Sequence, residues 1–210
     1  MSSRSQKPSP RRNAPGSFLR RLPVTLMIAM VLWLAIRPVL DSAVARFAEV
    51  LVRSFEYPRV TRLVVADHSA EIRRADFRTD SAIPAVPLTS VHFNTIVLLA
   101  LFFALPRPYS RRQLERLFMG WCVLYLTQSL NLAFHLKFMY ATTFGEWSQQ
   151  HYSDFARNLF GFLQYFTDLP GRFSFPFLIW LGFNWDVVMG MLHVSDEPEK
   201  PRKKKQRAKR

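Results

Sequence analysis

Apolar residues along this chain gather into long runs, and charged residues gather between the runs and at both ends. The runs cover residues 22–40, 91–105, 117–136 and 173–192. Each approaches the ~20 apolar residues that a helix needs to cross a bilayer. A shorter apolar stretch, residues 155–166, contains Arg157 and Asn158 and predicts an interfacial or re-entrant helix. After the first run the pattern changes. Val44, Phe47, Val50, Leu51 and Phe55 recur at helical spacing, with Arg46, Glu49, Arg53 and Glu56 between them. This predicts an amphipathic helix, too charged to span, that lies on the outer surface or continues the first helix outward. Residues 60–65 have strand propensity and residues 71–78 are a second strand candidate, so the pair predicts a small extramembrane hairpin. Pro84 and Pro87 turn the chain back towards the membrane.

The predicted fold is therefore an all-α multi-pass membrane protein with about four transmembrane helices, near residues 22–40, 91–106, 117–137 and 173–192. An amphipathic or interfacial helix and a small extramembrane segment with short strands complete it. Residues 1–21, rich in Ser, Pro and Arg without a single acid, form an expected disordered tail. Residues 41–90 make an expected periplasmic segment, and residues 193–210 a second basic tail.

Charge decides the orientation. The formal net charge is +14, which suits either a nucleic-acid surface or the basic cytoplasmic flanks of a membrane protein. Here the basic residues flank apolar runs, so the bilayer is the expected partner and nucleic acid is not. Arg107, Arg111, Arg112 and Arg116 mark a cytoplasmic loop between the second and third runs, and both tails are basic. With both termini on the cytoplasmic side of a bacterial inner membrane, the number of crossings must be even. The single cysteine, Cys122, lies within an apolar run and reads as a packing residue. No disulfide, CxxC motif, metal cluster or phosphate-binding glycine loop is written into the chain, and no cofactor is expected.

Polar residues inside the runs are the candidate chemistry, because such groups are costly in lipid. His92 and Asn94 open the second run behind Thr89 and Ser90, either of which could cap a helix there. Gln128, Asn131 and His135 fall three and four apart, on one face of the third helix. Hydrogen-bonding between helices is their simplest role. Arg157 can pair with Asp154 or face Asn94 or His135. Asp186 is an acid within the last run, with an arginine at the inner surface as its simplest partner.

The order of parts resembles the exosortase/archaeosortase family of membrane cysteine transpeptidases, over residues 89–183. An apolar helix enters from outside, a short Arg-rich turn follows, a helix returns with Asn131 in its outer half, and an outer helix precedes the final span. The resemblance implies a catalytic Cys, Arg and His at positions occupied here by about Asn94, by Phe134 and by about Arg157. Asn is no thiolate nucleophile and Phe no oxyanion donor. The chain therefore looks most like the exosortase-associated membrane proteins found beside the exosortase H type. The implied role is a non-catalytic accessory or scaffold in protein sorting, partnered by an exosortase or by its substrate's C-terminal transmembrane helix. A vacated active site would bring Asn94, Phe134 and Arg157 together at the outer face. Two other readings stand beside this one: a divergent intramembrane hydrolase or transpeptidase using His92, His135 and Arg157, and a small transporter or channel component using Asp186.

Overall fold

The computed structural model describes residues 15–74 and 83–195. The expected tail beyond residue 195, the first 14 residues and the part of the expected second strand at residues 75–78 lie outside the described residues. The described chain is helical apart from a three-stranded sheet. Helix α1 is Pro15–Ser54, strands β1, β2 and β3 are Thr61–Ala66, Ser69–Arg74 and Ala85–Pro87, and α2 and α3 are Leu88–His92 and Asn94–Phe103. Then follow α4 Arg111–Thr142, α5 Glu146–His151, α6 Asp154–Asp168, α7 Pro170–Phe183 and α8 Trp185–Ser195.

Helix α1 is a single run of 40 residues, about 60 Å long at about 1.5 Å per residue. That is twice the ~30 Å hydrocarbon thickness of a bilayer. The expected amphipathic helix is thus the outward continuation of the first one, and residues 15–21, expected in the tail, are already helical. Its buried face differs from the one suggested by spacing. Leu40, Asp41, Val44, Ala45, Ala48 and Val52 point inward, whereas Val50 and Phe55 are exposed. Small Ala45 and Ala48 let the sheet and neighbouring helices approach closely, and that shifts the face away from the bulkier side chains.

Helices α1 and α4 are long and apolar enough to cross a membrane, and Leu88–Phe103 forms a shorter apolar stretch. Only 17% of the most apolar window of α1, and 39% of that of α4, is buried. A core helix of a soluble protein would bury most of it. Instead Val24, Met27, Val31 and Leu34 on α1, and Phe118, Met119 and Val123 on α4, are exposed.

Side-chain contacts fix the directions of the helices. Thr25 Oγ1 donates to the Ala100 carbonyl at 3.1 Å and Trp33 reaches His92, so α1 and α2–α3 are antiparallel. Gln128 reaches Asn94 and Thr95, while Gly120 lies against Phe102, so α4 runs back along α3. The stretch α6–α7–α8 then descends along the whole of α4. Gly161 lies against Phe138, Gly120 against Ile179, and Arg116 meets Asp186. The short helix expected at residues 155–166 is α6, joined end to end with α7 through Leu169 alone. Asp168 and Arg172 pair across the junction. Ser110 and Ser153 cap α4 and α6, accepting from the N–H of Gln113 and Ala156. The last run, expected as one helix, breaks at Asn184, whose side chain is buried and donates to the Trp180 carbonyl at 3.0 Å.

The α6–α7 junction is tight. A Cβ on Gly171 would lie 2.6 Å from the Phe175 ring and 2.9 Å from the Phe166 carbonyl oxygen. Gly171→Ala is expected to cost about 1–3 kcal/mol through overpacking, read as a lower Tm of the detergent-solubilised protein. An unchanged Tm would mean that the junction yields freely.

The hairpin predicted from residues 60–65 and 71–78 forms, but its second strand starts earlier, at Ser69, because only Asp67 and His68 make the turn. Both adopt left-handed φ, 45° and 60°, as a two-residue type I′ turn demands. The third strand, β3, pairs with β2 and was not anticipated. The sheet buries Ala70, Ile72 and Val86 against Val44, Ala48 and Val52 of α1 and Leu132, Leu136 and Tyr140 of α4. Between α4 and α6, residues 146–151 form the short helix α5.

Candidate functional site

Asp41 sits on the buried face of α1, one turn beyond Arg37, and is 1% exposed. Its two carboxyl oxygens face two histidines brought from other elements. Oδ1 lies 2.6 Å from His92 Nε2 at the end of α2, and Oδ2 lies 2.7 Å from His68 Nδ1 in the β1–β2 turn. The left-handed backbone at His68 aims the ring inward, and its carbonyl accepts from the Leu88 N–H at 2.9 Å. On the far side of His92, Trp33 Nε1–H donates to Nδ1 at 3.0 Å. An indole can only donate, so Nδ1 must be the bare nitrogen and Nε2 carries the proton towards Asp41. Arg37 lies 5.6 Å from the Trp33 ring centre and donates to Thr89 Oγ1. The chain Trp33–His92–Asp41–His68 thus ties α1, α2 and the hairpin turn together.

Chemically this cluster is closed at one end and open at the other. His92 is fully buried with both ring nitrogens in use. His68 is the half-exposed member, and its Nδ1–H donates inward. Among the described residues no hydroxyl or thiol is hydrogen-bonded to either imidazole.

The polar residues read from the sequence form a second, adjoining group. Gln128 Nε2 donates to Asn94 Oδ1 at 2.7 Å and to Thr95 Oγ1 at 2.8 Å. Asn131 Oδ1 and His135 Nδ1 are 3.2 Å apart, one turn along α4. Ser90, Asn94, Gln128, Asn131 and Arg172 border a cleft of about 10 Å³, which is room for one water at most. Helix capping does not account for Thr89 and Ser90. Pro87 takes the cap position of α2, Ser90 donates to the Pro87 carbonyl, and Thr89 accepts from Arg37.

A much larger cavity, about 650 Å³, opens between α1, α4 and α6 on the side of the sheet. Phe134 lines it, with Trp147, Tyr152 and Phe160. Burial raises the Tyr152 phenol above its ordinary pKa against the weaker pull of Arg74, so it presents a neutral O–H. Arg157 lies elsewhere, 2.9 Å from Asp154 in the first turn of α6. Asp186 meets Arg116 at 2.9 Å and Arg112 at 3.4 Å, and it is about half exposed. Cys122 is exposed on α4.

The family model of the exosortase H-associated membrane proteins matches residues 12–187. The chain belongs to this family. No curated protein and no solved structure matches it. The resemblance drawn from the order of parts is thereby borne out at the level of the family. In this exosortase H-associated protein, however, Asn94, Phe134 and Arg157 do not share a cavity. Asn94 borders the small cleft, Phe134 the large cavity, and Arg157 neither. Membership rests on the match along the chain, not on the geometry of those three positions. Among the sequence-derived candidates, Asn94 and Asn131 border one cleft and His135 lies beside Asn131, whereas His92 binds Asp41, Phe134 lines the large cavity, Arg157 pairs with Asp154, and Asp186 pairs with Arg112 and Arg116.

Sequence reasoning missed Trp33, Asp41 and His68. One signal was present: Asp41 lies on the same helical face as Val44, Ala48 and Val52. A lone carboxyl on an inward stripe calls for a buried partner.

Proposed function

We propose that the protein is a non-catalytic component of exosortase-type protein sorting, a four-pass protein of the bacterial inner membrane with both termini in the cytoplasm. The observation that carries this reading is the match over residues 12–187 to proteins described as exosortase H-associated. The fold supports the topology. Phe18 stacks on Trp180 at 5.6 Å, which brings the α1 start, with Arg20 and Arg21, to the end of the bundle where Arg112 and Arg116 meet Asp186. The basic residues thus collect at one end, as a cytoplasmic face requires, and four antiparallel passes return the chain to that face.

The polar groups support a non-catalytic role because they are spent on one another. Asn94 binds Gln128, His92 is buried between Trp33 and Asp41, and Arg157 holds Asp154. A hydrolase using His92, His135 and Arg157 needs them around one substrate within hydrogen-bond reach, and each has its own partner. A transport path through Asp186 is disfavoured by its pairing with two arginines at the basic end.

The test is co-purification. From native membranes of cells that make both proteins, a tagged version of this chain is expected to retain an exosortase through solubilisation in mild detergent. Absence of the exosortase from the purified material, with both present in the membrane, would remove the proposal.

A further inference from the structure

Helix α4 carries one apolar stripe that changes surroundings along its length. Met119, Val123 and Leu126 are exposed, and the same stripe continues through Leu130 and Phe134 into the floor of the 650 Å³ cavity and ends at Lys137. The spacings of four, three, four, four and three residues keep all six on one face. Leu51 of α1 and Phe55 just past its end wall the cavity on one side and Phe160 of α6 on another.

The charged rim is unbalanced. Glu56 is the one acid among the described lining residues, and its carboxylate already accepts from Arg74 Nη1 at 2.9 Å, Thr61 Oγ1 at 2.8 Å and Thr61 N–H at 3.1 Å. Lys137 has no hydrogen bond or ion pair with any described residue, although its side chain is partly buried. An ammonium group at the end of an apolar groove favours an anion joined to an apolar body.

Depth identifies that body. Arg116, at the basic end, and Lys137 are twenty-one residues apart on one helix, which spans about 32 Å. This equals the hydrocarbon thickness of about 30 Å, so Lys137 stands at the headgroup level of the opposite leaflet. A cavity of 650 Å³ is within the range of about 300–1,000 Å³ for small-ligand sites. A partner helix about 10 Å across and 30 Å long would need roughly 2,400 Å³, so the half-open groove suits a hydrocarbon chain.

We infer that this cavity is a binding site for an anionic phospholipid of the outer leaflet, with an acyl chain along Leu130 and Phe134 and the phosphate against Lys137. The inference goes beyond the sorting role, and the leaflet it names rests on the topology proposed above.

Native mass spectrometry of the full-length protein in detergent tests it, with phosphatidylglycerol, phosphatidylcholine and glycerol phosphate as probes. Phosphatidylglycerol is expected to bind best, and glycerol phosphate, which has no chain, not to compete. Lys137→Ala is expected to weaken phosphatidylglycerol about fivefold, the value of one basic residue near a lipid surface, and Lys137→Arg to restore it. Leu130→Trp, which fills the groove and leaves Lys137 in place, is expected to displace the lipid. Equal affinity for phosphatidylcholine, unchanged binding in Lys137→Ala, or effective competition by glycerol phosphate would overturn the assignment. So would the absence of any bound lipid.

Discussion

Asp41→Ala is expected to destabilise the protein by about 3–5 kcal/mol, the cost of removing one partner from a buried charged or strongly hydrogen-bonded set. His92 is fully buried and would keep a donor with no acceptor, since Trp33 already fixes the proton on Nε2. The hairpin turn would lose its tie as well, because His68 reaches α1 through the same carboxyl group. Two companions separate this account from simple loss of packing. Asp41→Asn keeps an acceptor for His92 and is expected to recover part of the loss, with half-exposed His68 free to change tautomer. In the Asp41→Ala background, His92→Phe removes the stranded donor, so the pair of substitutions should cost less than the sum of the two. Thermal unfolding in detergent measures all of these. Strict additivity, or a cost below about 1 kcal/mol for Asp41→Ala, would show that the cluster does not hold the head to the bundle.

The second large effect is expected at Arg74. Its guanidinium is 6% exposed, pairs with Glu56, and lies 4.8 Å from the Tyr140 ring centre and 4.9 Å from that of Trp147. One side chain therefore joins β2 to the end of α1, to α4 and to α5. Arg74→Ala leaves the Glu56 carboxylate buried at 9% exposure and empties the space between two rings. A loss of about 3–5 kcal/mol is expected. Arg74→Lys keeps the charge but not the planar fork that stacks on aromatic faces, so it should recover only part. Tryptophan emission, compared with that of a Trp147→Phe control to isolate this one ring among five, gives an independent readout, shifting to the red as the ring is wetted in Arg74→Ala. A variant with native Tm and native emission would contradict the role given to Arg74.

Much of the fold could be read from the sequence, and the failures have local causes. The long runs of α1 and α4, the Arg-rich turn before α4 and the hairpin were visible because each depends on neighbours within a few residues. Strand β1 was placed within a residue by its β-branched alternation. The start of β2 was missed because nothing in Asp67-His68 announces two successive left-handed residues without glycine. The break in the last pass was missed because Asn184 is held by the Trp180 carbonyl and lies beside Arg116, sixty-eight residues earlier. Of the polar site, Gln128 and Asn131 were found from spacing on one helix. Asn94, the partner of Gln128, was singled out without its contact. Asp41 needed the hairpin to fold back over 27 residues and α2 to return over 51, which no window along the chain reveals.

Helix α1 has no break between Pro15 and Ser54, although Pro23 and Pro38 each remove one backbone hydrogen-bond donor from it. It belongs to both halves of the molecule: Phe18 and Leu22 pack against Trp180 at the basic end, and Val44, Ala48 and Val52 carry the sheet at the other. The helix is thus a lever through the molecule. Being one unbroken element packed at both ends, it sets the position of its first turns and that of the sheet together. A protein that grips either end holds the angle of the other.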